Sequence, residues 1–267
     1  MNSSSLRTQH NTATESIKGK RSHHWPIEAI IKAGYAVATL HYSDVDPDKN
    51  DFSDGIHYLL NKETIDISKN QRWGSIAACA WGLSRIMDYF VLEENVDAKQ
   101  VIVFGHSRLG KAALWAGALD QRFGMIISND SGCGGAALFR RKEGETIKDI
   151  NANFPHWFAA QFKKYNDNED KLPVDQHMLL SLLAPRPVYI ASAENDLWAD
   201  PKGEYLSVYY ASPVYELYGK QGMLSKNLPQ VEQPVHQDVG YHIRKGDHNL
   251  MTYDWLQFIA FAKKHFN

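Results

Sequence analysis

The sequence predicts an α/β fold with a mostly parallel sheet flanked by helices, and three observations lead to this prediction. Short β-branched runs alternate with longer segments of helical periodicity from about residue 25 onward. Such alternation is typical of parallel strands joined by right-handed helical crossovers. The chain of 267 residues is long enough for one domain of this kind. A glycine-flanked serine, Ser107, stands where one strand passes into a helix.

The first third of the chain predicts two helices, one strand and a long loop. Residues 25–33 read as a short helix that Gly34 ends, and the alternating run at 35–42 reads as a strand. Polar clusters at 44–70 indicate a connecting loop. Residues 72–92 form the longest helical segment, with an apolar stripe along one side.

The remaining elements alternate regularly. Strands are predicted at 101–104, 125–128, 188–193 and 235–241, and helices at 111–119, 203–210 and 253–265. In such a sheet the functional groups lie beyond the carboxyl ends of the strands.

The chain divides into a polar start and one domain. Residues 1–24 are rich in Ser, Thr, Asn and Lys and predict a loop or disordered segment, followed by a catalytic domain at 25–267. We find neither a signal peptide in this chain nor an apolar run of about 18 residues that would predict a membrane span. The start resembles that of a truncated or leaderless chain.

Charge and cysteine usage exclude several classes of partner. The formal net charge is −2, with both signs scattered, so no nucleic acid or anionic membrane is expected as a partner. The two cysteines, Cys79 and Cys133, allow one optional disulfide and leave the redox compartment open. Oligomeric state is not indicated by the sequence.

The segment around Ser107 predicts a nucleophile elbow. A serine hydroxyl is a weak nucleophile at neutral pH, and a sharp strand-to-helix turn exposes it beside a helix N-terminus. Gly105 and Gly110 supply the close approach that such a turn needs. The second glycine comes one residue later than in the common G-x-S-x-G pattern.

Candidate partners for Ser107 follow later strands. Asp130 comes directly after the strand at 125–128, Asp196 follows the strand at 188–193, and His248 lies in a Gly-Asp-His turn before the last helix. The order serine, acid, histidine is that of α/β-hydrolases, in which histidine takes the serine proton and the acid fixes its tautomer.

Seven ordered segments together carry a family resemblance. They are GHSRLGK (105–111), NDSGCGGAAL (129–138), GET (144–146), FPHWF (154–158), LLAPRPVYI (182–190), DLWADPKGE (196–204) and GDHNL (246–250). From about Trp25 onward the chain resembles the glucuronoyl esterases of carbohydrate esterase family 15, especially the bacterial branch. The resemblance implies an α/β-hydrolase fold that needs no metal or other cofactor. It also implies cleavage of the ester between lignin alcohols and the (4-O-methyl-)glucuronic acid of glucuronoxylan.

The resemblance assigns roles by motif position. Ser107 is then the nucleophile, His248 the general base and Arg108 the oxyanion-stabilising arginine. Lys111, Glu145 and Trp198 match sugar-binding positions of the family. Without the family, Arg108 could instead pair with a surface carboxylate. Likewise, Glu145 would be an ordinary loop acid and Trp198 a core or rim aromatic.

The triad acid stays open between two residues. A glutamate of the family often stands where this chain has Asp130, which is one methylene shorter, whereas some bacterial members use an aspartate at the position of Asp196. We rank Asp196 first and Asp130 second as the triad acid. A third interpretation is that the two residues share this role.

A second departure from the family and two rival functions accompany this interpretation. The family has several strands before the helix at Trp25, whereas this chain has only 24 polar residues there, so these strands are expected to be missing. The resemblance implies a secreted or periplasmic protein. An acetylxylan or feruloyl esterase would use the same triad chemistry, and a catalytically inactive, sugar-binding hydrolase fold is the alternative from another class.

Overall fold

The sheet occupies the centre of the molecule. The computed structural model describes residues 15–17, 19–63 and 73–266. Within these ranges the strands are β1 (Ile102–His106), β2 (Met125–Asn129), β3 (Val188–Ala193), β4 (Val235–His236) and β5 (Val239–Arg244). They form one sheet in the order β1-β2-β3-β5-β4. Strands β1, β2, β3 and β5 are mutually parallel, and β4 pairs with β5 in the antiparallel sense.

The described part of the chain contains eight α-helices. They are α1 (Ile27–Lys32), α2 (Gly55–Glu63), α3 (Ser75–Phe90), α4 (Arg108–Leu119), α5 (Ile147–Asn153), α6 (Gln176–Ser181), α7 (Pro201–Leu217) and α8 (Thr252–Phe266). Among the described residues, none of the helices combines the length and apolar character needed to cross a membrane.

The core lies on both faces of the sheet. Ile126 of β2 packs on one face with the buried side chains of α3, α4, α6 and α7. Its neighbours Met125 and Ile127 point to the other face and pack with Phe258 and Phe261 of α8. Parallel strands covered on both faces read as continuous apolar runs, which explains why β2 and β3 were predicted well. The predicted α/β fold class is confirmed.

Two sequence predictions need correction. Residues 35–42 do not form a strand: Tyr35 and Val37 pack against the α8 side of the core, but the segment has no sheet partner among the described residues. Alternation predicts which side chains are buried, whereas strand pairing also needs a neighbouring strand. The predicted strand at 235–241 is a hairpin, because β4 ends at His236 and β5 continues to Arg244.

Other differences concern short elements. The loop predicted at 44–70 contains α2, and residues 64–72 lie outside the described part. Helices α5 and α6 were not predicted, because each spans fewer than ten residues and depends on a cap, Thr146 for α5 and Asp175 for α6. Most of the polar segment predicted at 1–24 lies outside the described residues; Glu15–Ile17 and Ser22–His24 are single 3₁₀ turns.

Candidate active site

Ser107 lies in a strained turn between β1 and α4. Its backbone has φ 59° and ψ −126°, a conformation that L-residues rarely adopt. A side chain at position 105 would collide with the carbonyl group of Leu109, and one at 110 would come 2.8 Å from Ser128 Oγ. Both glycines are therefore required by close approach, as the sequence analysis proposed. The turn presents the Ser107 hydroxyl at the carboxyl end of the sheet.

His248 and Asp196 complete a hydrogen-bonded chain with Ser107. His248 Nε2 lies 2.9 Å from Ser107 Oγ, and His248 Nδ1 lies 2.6 Å from Asp196 Oδ2. Since the carboxylate accepts, Nδ1 carries the proton and Nε2 is free to accept from the serine. The His248 side chain is 44% exposed and that of Asp196 is 6% exposed. The His248 imidazole is thus exposed to solvent, whereas Asp196, which orients it, is buried.

Asp130 lies beside this chain without joining it. Its Oδ2 accepts a hydrogen bond from Arg244 Nη2 at 3.2 Å, and its buried Oδ1 has no hydrogen-bond partner in the described structure. Burial raises the pKa of Asp130 well above its ordinary value, and the nearby Glu204 carboxyl adds to this rise. Of the two candidate acids, the structure brings Asp196 to His248 and Asp130 to Arg244.

Arg244, at the end of β5, holds the loop that carries His248. Its Nη2 donates to the carbonyl groups of Asp247 and Asn249, which flank His248, and its Nη1 donates to that of Lys245. Its Nε donates to both carboxylate oxygens of Asp254 in α8. Arg244 was not predicted as a site residue, because most of its partners are backbone carbonyl groups, which every residue carries and no sequence pattern reveals.

A second histidine packs against His248. The ring of His106, the residue before Ser107, lies 4.8 Å from the His248 ring, centroid to centroid, and its Nδ1 donates to Asn129 Oδ1 at 2.6 Å. Burial, together with the proximity of His248, lowers the pKa of His106 to about 4. His106 is therefore a neutral, fixed wall of the site at neutral pH.

The donor set of the site suits hydrogen bonding better than metal binding. Ligand atoms of Asp130, Asp196 and His248 lie within 4.8 Å of one another. However, both nitrogens of His248 already take part in hydrogen bonds, and the guanidinium of Arg244 lies against Asp130. A cation there would have to displace those bonds and face a fixed positive charge.

The sugar-binding candidates lie together. The backbone N–H of Glu145 donates to the Trp198 carbonyl at 2.8 Å, which holds the two residues side by side. Burial raises the pKa of Glu145, while the nearby Lys111 ammonium opposes that rise. Trp198 is 55% exposed, whereas Lys111 is 5% exposed. The three predicted residues thus form one cluster with an aromatic ring at its solvent side.

Lys111 donates to a backbone carbonyl in a turn that a buried carboxylate holds in place. Its Nζ donates to the carbonyl of Ser131, and burial lowers its pKa. Glu204 of α7 holds the same turn: its Oε1 accepts from the Ser131 and Gly132 backbone N–H groups at 2.8 and 2.9 Å. Its Oε2 accepts from Ser192 Oγ at 2.6 Å. Glu204 was not predicted as a site residue. Its partners lie at the ends of β2 and β3, and only the fold brings them to α7.

Replacement of Glu204 by glutamine should flatten the pH dependence of stability. Burial raises the pKa of Glu204 from 4.5 to about 7, so the folded state binds its proton more tightly than the unfolded chain. This contribution is fully present below pH 4.5 and is lost as the pH rises through about 7. Glutamine can accept from Ser131 and Gly132 and donate to Ser192, and it does not titrate.

Urea unfolding at pH 5 and pH 8 measures this effect. The wild type should lose on the order of 3 kcal/mol relative to Glu204→Gln between the two pH values. The matched control is Glu143→Gln, which removes an exposed carboxylate. Identical pH dependence in the wild type and Glu204→Gln would contradict the prediction.

Arg108 follows Ser107 directly and forms an ion pair with Asp48. Its guanidinium carbon lies 5.0 Å from the centre of the Trp157 ring, and 5.9 Å from those of Tyr42 and Phe154. The side chain is 35% exposed. Arg108 thus pairs with a carboxylate, which was the alternative interpretation of this residue from the sequence. The ion pair leaves other N–H groups of the guanidinium free to donate to further acceptors.

The parallel sheet, the strained serine turn and the serine, histidine and acid at its carboxyl end define an α/β-hydrolase. The family model described as glucuronyl esterase, fungi, matches residues 13–219, and the chain belongs to this family, the glucuronoyl esterases of carbohydrate esterase family 15. The resemblance read from the sequence motifs is confirmed.

Relatives by sequence agree with this assignment. The chain is 51% identical over 255 residues to carbohydrate esterase MZ0003 from an unknown prokaryotic organism, covering 96% of this chain and 59% of that protein. It is 33% identical over 198 residues to a 4-O-methyl-glucuronoyl methylesterase of Schizophyllum commune, covering 68% of this chain and 48% of that enzyme. The chain thus spans about half to three-fifths of the length of these relatives.

Solved structures agree as well. A glucuronoyl esterase from Solibacter usitatus superposes with a TM-score of 0.92 at 47% identity, covering 97% of this chain and 67% of that one. A promiscuous esterase of the same family from a marine bacterial metagenome gives a TM-score of 0.90 at 49% identity, with the same coverage of both chains.

Proposed function

We propose that the protein is a serine esterase that hydrolyses esters of (4-O-methyl-)glucuronic acid with lignin alcohols in glucuronoxylan, through an acyl-enzyme. The observation that carries the proposal is the hydrogen-bonded chain from Ser107 through His248 to Asp196 beside the cluster of Lys111 and Glu145. Relatives bearing the name 4-O-methyl-glucuronoyl methylesterase support the substrate class.

The reaction proceeds in two halves. Ser107 Oγ attacks the ester carbonyl carbon while its proton passes to His248 Nε2. The tetrahedral intermediate collapses, the bond to the alcohol oxygen breaks, and His248 returns the proton to the leaving alcohol. Water then attacks the acyl-enzyme, again through His248, and releases the uronic acid and free Ser107. Asp196 stabilises the imidazolium that forms in both halves.

Arg108 stabilises the oxyanion of both tetrahedral intermediates. A guanidinium carries a permanent positive charge and several N–H donors, so it can meet the negative charge that appears only near the transition state. The backbone N–H of Arg108 is the first of α4, where such groups have no partner within the helix. It supplies a second donor of the kind that nucleophile elbows provide.

The cluster beside the triad recognises the sugar. Lys111 donates to a hydroxyl oxygen, Glu145 accepts from hydroxyl groups, and Trp198 covers the sugar ring. Because the polar groups are partly buried, a sugar with a misplaced hydroxyl leaves them unpaired, which is costly.

Turnover of benzyl glucuronate compared with its galacturonate epimer tests this function. We expect the glucuronate ester to react about fivefold faster or more, since one unpaired buried polar group costs about 1 kcal/mol or more. Acetylated xylan and methyl ferulate are tested in parallel. Release of acetate or ferulate without cleavage of the glucuronate ester would instead identify another carbohydrate esterase, and lack of turnover and of fluorophosphonate labelling would identify a sugar-binding fold.

Alanine variants of Lys111, Glu145 and Trp198 should each weaken the preference for the uronate over a simple aryl acetate. The acetate does not reach the sugar cluster, so its turnover should change little, while kcat/KM for the glucuronate ester falls by about tenfold or more. The control is Glu143→Ala, two residues before Glu145 on the exposed side. An unchanged ratio of the two activities would remove the residue concerned from the sugar site.

An enzyme that acts on a cell-wall polymer works outside the cytoplasm, so we propose a secreted or periplasmic location. We also propose that residues 25–267 form the catalytic domain. Fractionation of the native host with an antibody against this domain tests the location. Its recovery with the cytoplasmic markers alone would contradict it.

A further inference from the structure

We propose that Asp48 is a positioning residue for catalysis, which acts by holding the Arg108 guanidinium in place for the oxyanion. The inference rests on the proposed esterase function and on the role of Arg108 in it. Asp48 itself does not belong to any of the seven family motifs that identified the site, and it lies 60 residues before Arg108 in the chain.

The carboxylate of Asp48 is shared among three donors. Its Oδ2 forms the ion pair with Arg108, while its Oδ1 accepts from His156 Nε2 at 2.9 Å and from Trp157 Nε1 at 2.8 Å. His156 is neutral in this arrangement, since Nε2 carries the proton and buried Nδ1 has no partner in the described structure. The two neutral donors orient the carboxylate, and within the described part of the chain the guanidinium is its single positively charged contact.

The loop that carries Asp48 is itself anchored. Asp46, two residues earlier, is buried and accepts from His57 Nδ1 and from Ser75 Oγ, each at 2.7 Å. The Ser75 backbone N–H in turn donates to the carbonyl of His156 at 2.9 Å. The segments on both sides of the Arg108 guanidinium are thus tied to the N-terminal end of α3, so Asp48 is a fixed acceptor.

Aromatic rings restrict the other sides of Arg108. The Trp157 ring lies 5.0 Å from the guanidinium carbon and stacks on Phe154 with 3.8 Å between ring centres. An arginine side chain loses much rotamer entropy when it is fixed, and here Asp48 and the rings remove that freedom before substrate binds. Preorganised donors are worth more in the transition state than donors that must reorient.

A double-mutant cycle between Asp48→Asn and Arg108→Ala tests the proposal. In the wild type, Asp48→Asn should lower kcat by about tenfold to hundredfold with little change in KM, because the charge that fixes the guanidinium is lost. Arg108→Ala should lower kcat by about 10²–10³. In the Arg108→Ala background, Asp48→Asn should change kcat by less than about twofold, because a positioning residue has nothing left to position.

Three outcomes of the cycle would overturn the proposal. They are an equal fold loss from Asp48→Asn in both backgrounds, no loss in the wild type, and a gain in kcat, which would mean that the ion pair slows the reaction. Asp48→Glu keeps the charge and should retain most of the kcat that Asp48→Asn loses. Equal impairment of Asp48→Glu and Asp48→Asn would also overturn the proposal, since the charge would not be the cause. Asp51→Asn, on the same loop with its carboxylate on Ser53 and Lys49, is the matched control.

The cycle is run on p-nitrophenyl acetate as well as on benzyl glucuronate. The acetate needs the oxyanion site but no sugar recognition, so coupling between Asp48 and Arg108 on the acetate alone would support the positioning role even if the glucuronate ester were not cleaved. Thermal unfolding of each variant shows that the fold is retained.

Discussion

Ser107→Ala and His248→Ala are each expected to lower kcat by about five to six orders of magnitude. Triad members act as a unit, so loss of either one removes nearly the whole contribution of the triad. The structure gives the reason for expecting this: Ser107 Oγ lies 2.9 Å from His248 Nε2, which is free to accept its proton because Nδ1 donates to Asp196. Residual activity should come from Arg108 and the backbone donor at the start of α4.

The measurement is kcat on benzyl glucuronate, with labelling by a fluorophosphonate probe as a second readout. Ser107→Ala should lose labelling completely, and His248→Ala should label far more slowly than the wild type. Ser181→Ala, whose hydroxyl donates to a helix carbonyl, and His41→Ala, on the surface, are the matched controls. Activity within tenfold of the wild type in either triad variant would exclude the proposed mechanism.

The features predicted correctly from the sequence are those with a local cause. Ser107 could be found because strand, turn glycines and helix are contiguous, and the buried strands β2 and β3 because both of their faces are apolar. The rule that polar groups gather beyond the strand ends placed Asp130, Asp196 and His248 within one small region.

The features missed depend on contacts between distant segments. Asp48 reads as one acid among several in a polar loop, and only the fold brings it to Arg108. Arg244 reads as the end of a strand, and its bonds to the His248 loop go to carbonyl groups that every residue carries. Residues 35–42 show the reverse error, because their alternating pattern predicted a strand where the neighbouring strand is absent from the described sheet.

The choice between Asp196 and Asp130 also required the structure. Both follow strands and both lie near His248, so sequence position ranks them only weakly. The difference arises from Arg244, a residue of β5, which binds Asp130 and leaves Asp196 as the acceptor of the Nδ1 proton. The short side chain of Asp130 therefore binds Arg244, whose Nη2 lies 3.2 Å from its Oδ2, instead of His248.

Asp196→Asn is therefore expected to lower kcat by about 10⁴, whereas Asp130→Asn should lower it by less than about tenfold. An asparagine at 196 donates where a carboxylate accepted, so it favours the wrong tautomer of His248 and cannot stabilise the imidazolium. At 130 the same change leaves the triad bonds in place. It should instead lower the free energy of unfolding by on the order of 2 kcal/mol, since Arg244 loses one of its two carboxylate partners but keeps Asp254.

The double variant separates a single triad acid from a shared one. If Asp196 alone orients His248, the double variant should match Asp196→Asn in kcat, and its loss of stability should match that of Asp130→Asn. If both carboxylates serve His248, each single variant would lose little activity and only the double variant would lose about 10⁴. A loss of 10⁴ in Asp130→Asn with near-normal activity in Asp196→Asn would reverse the assignment, because the carboxylate bound to Arg244 would then be the one that His248 uses in solution.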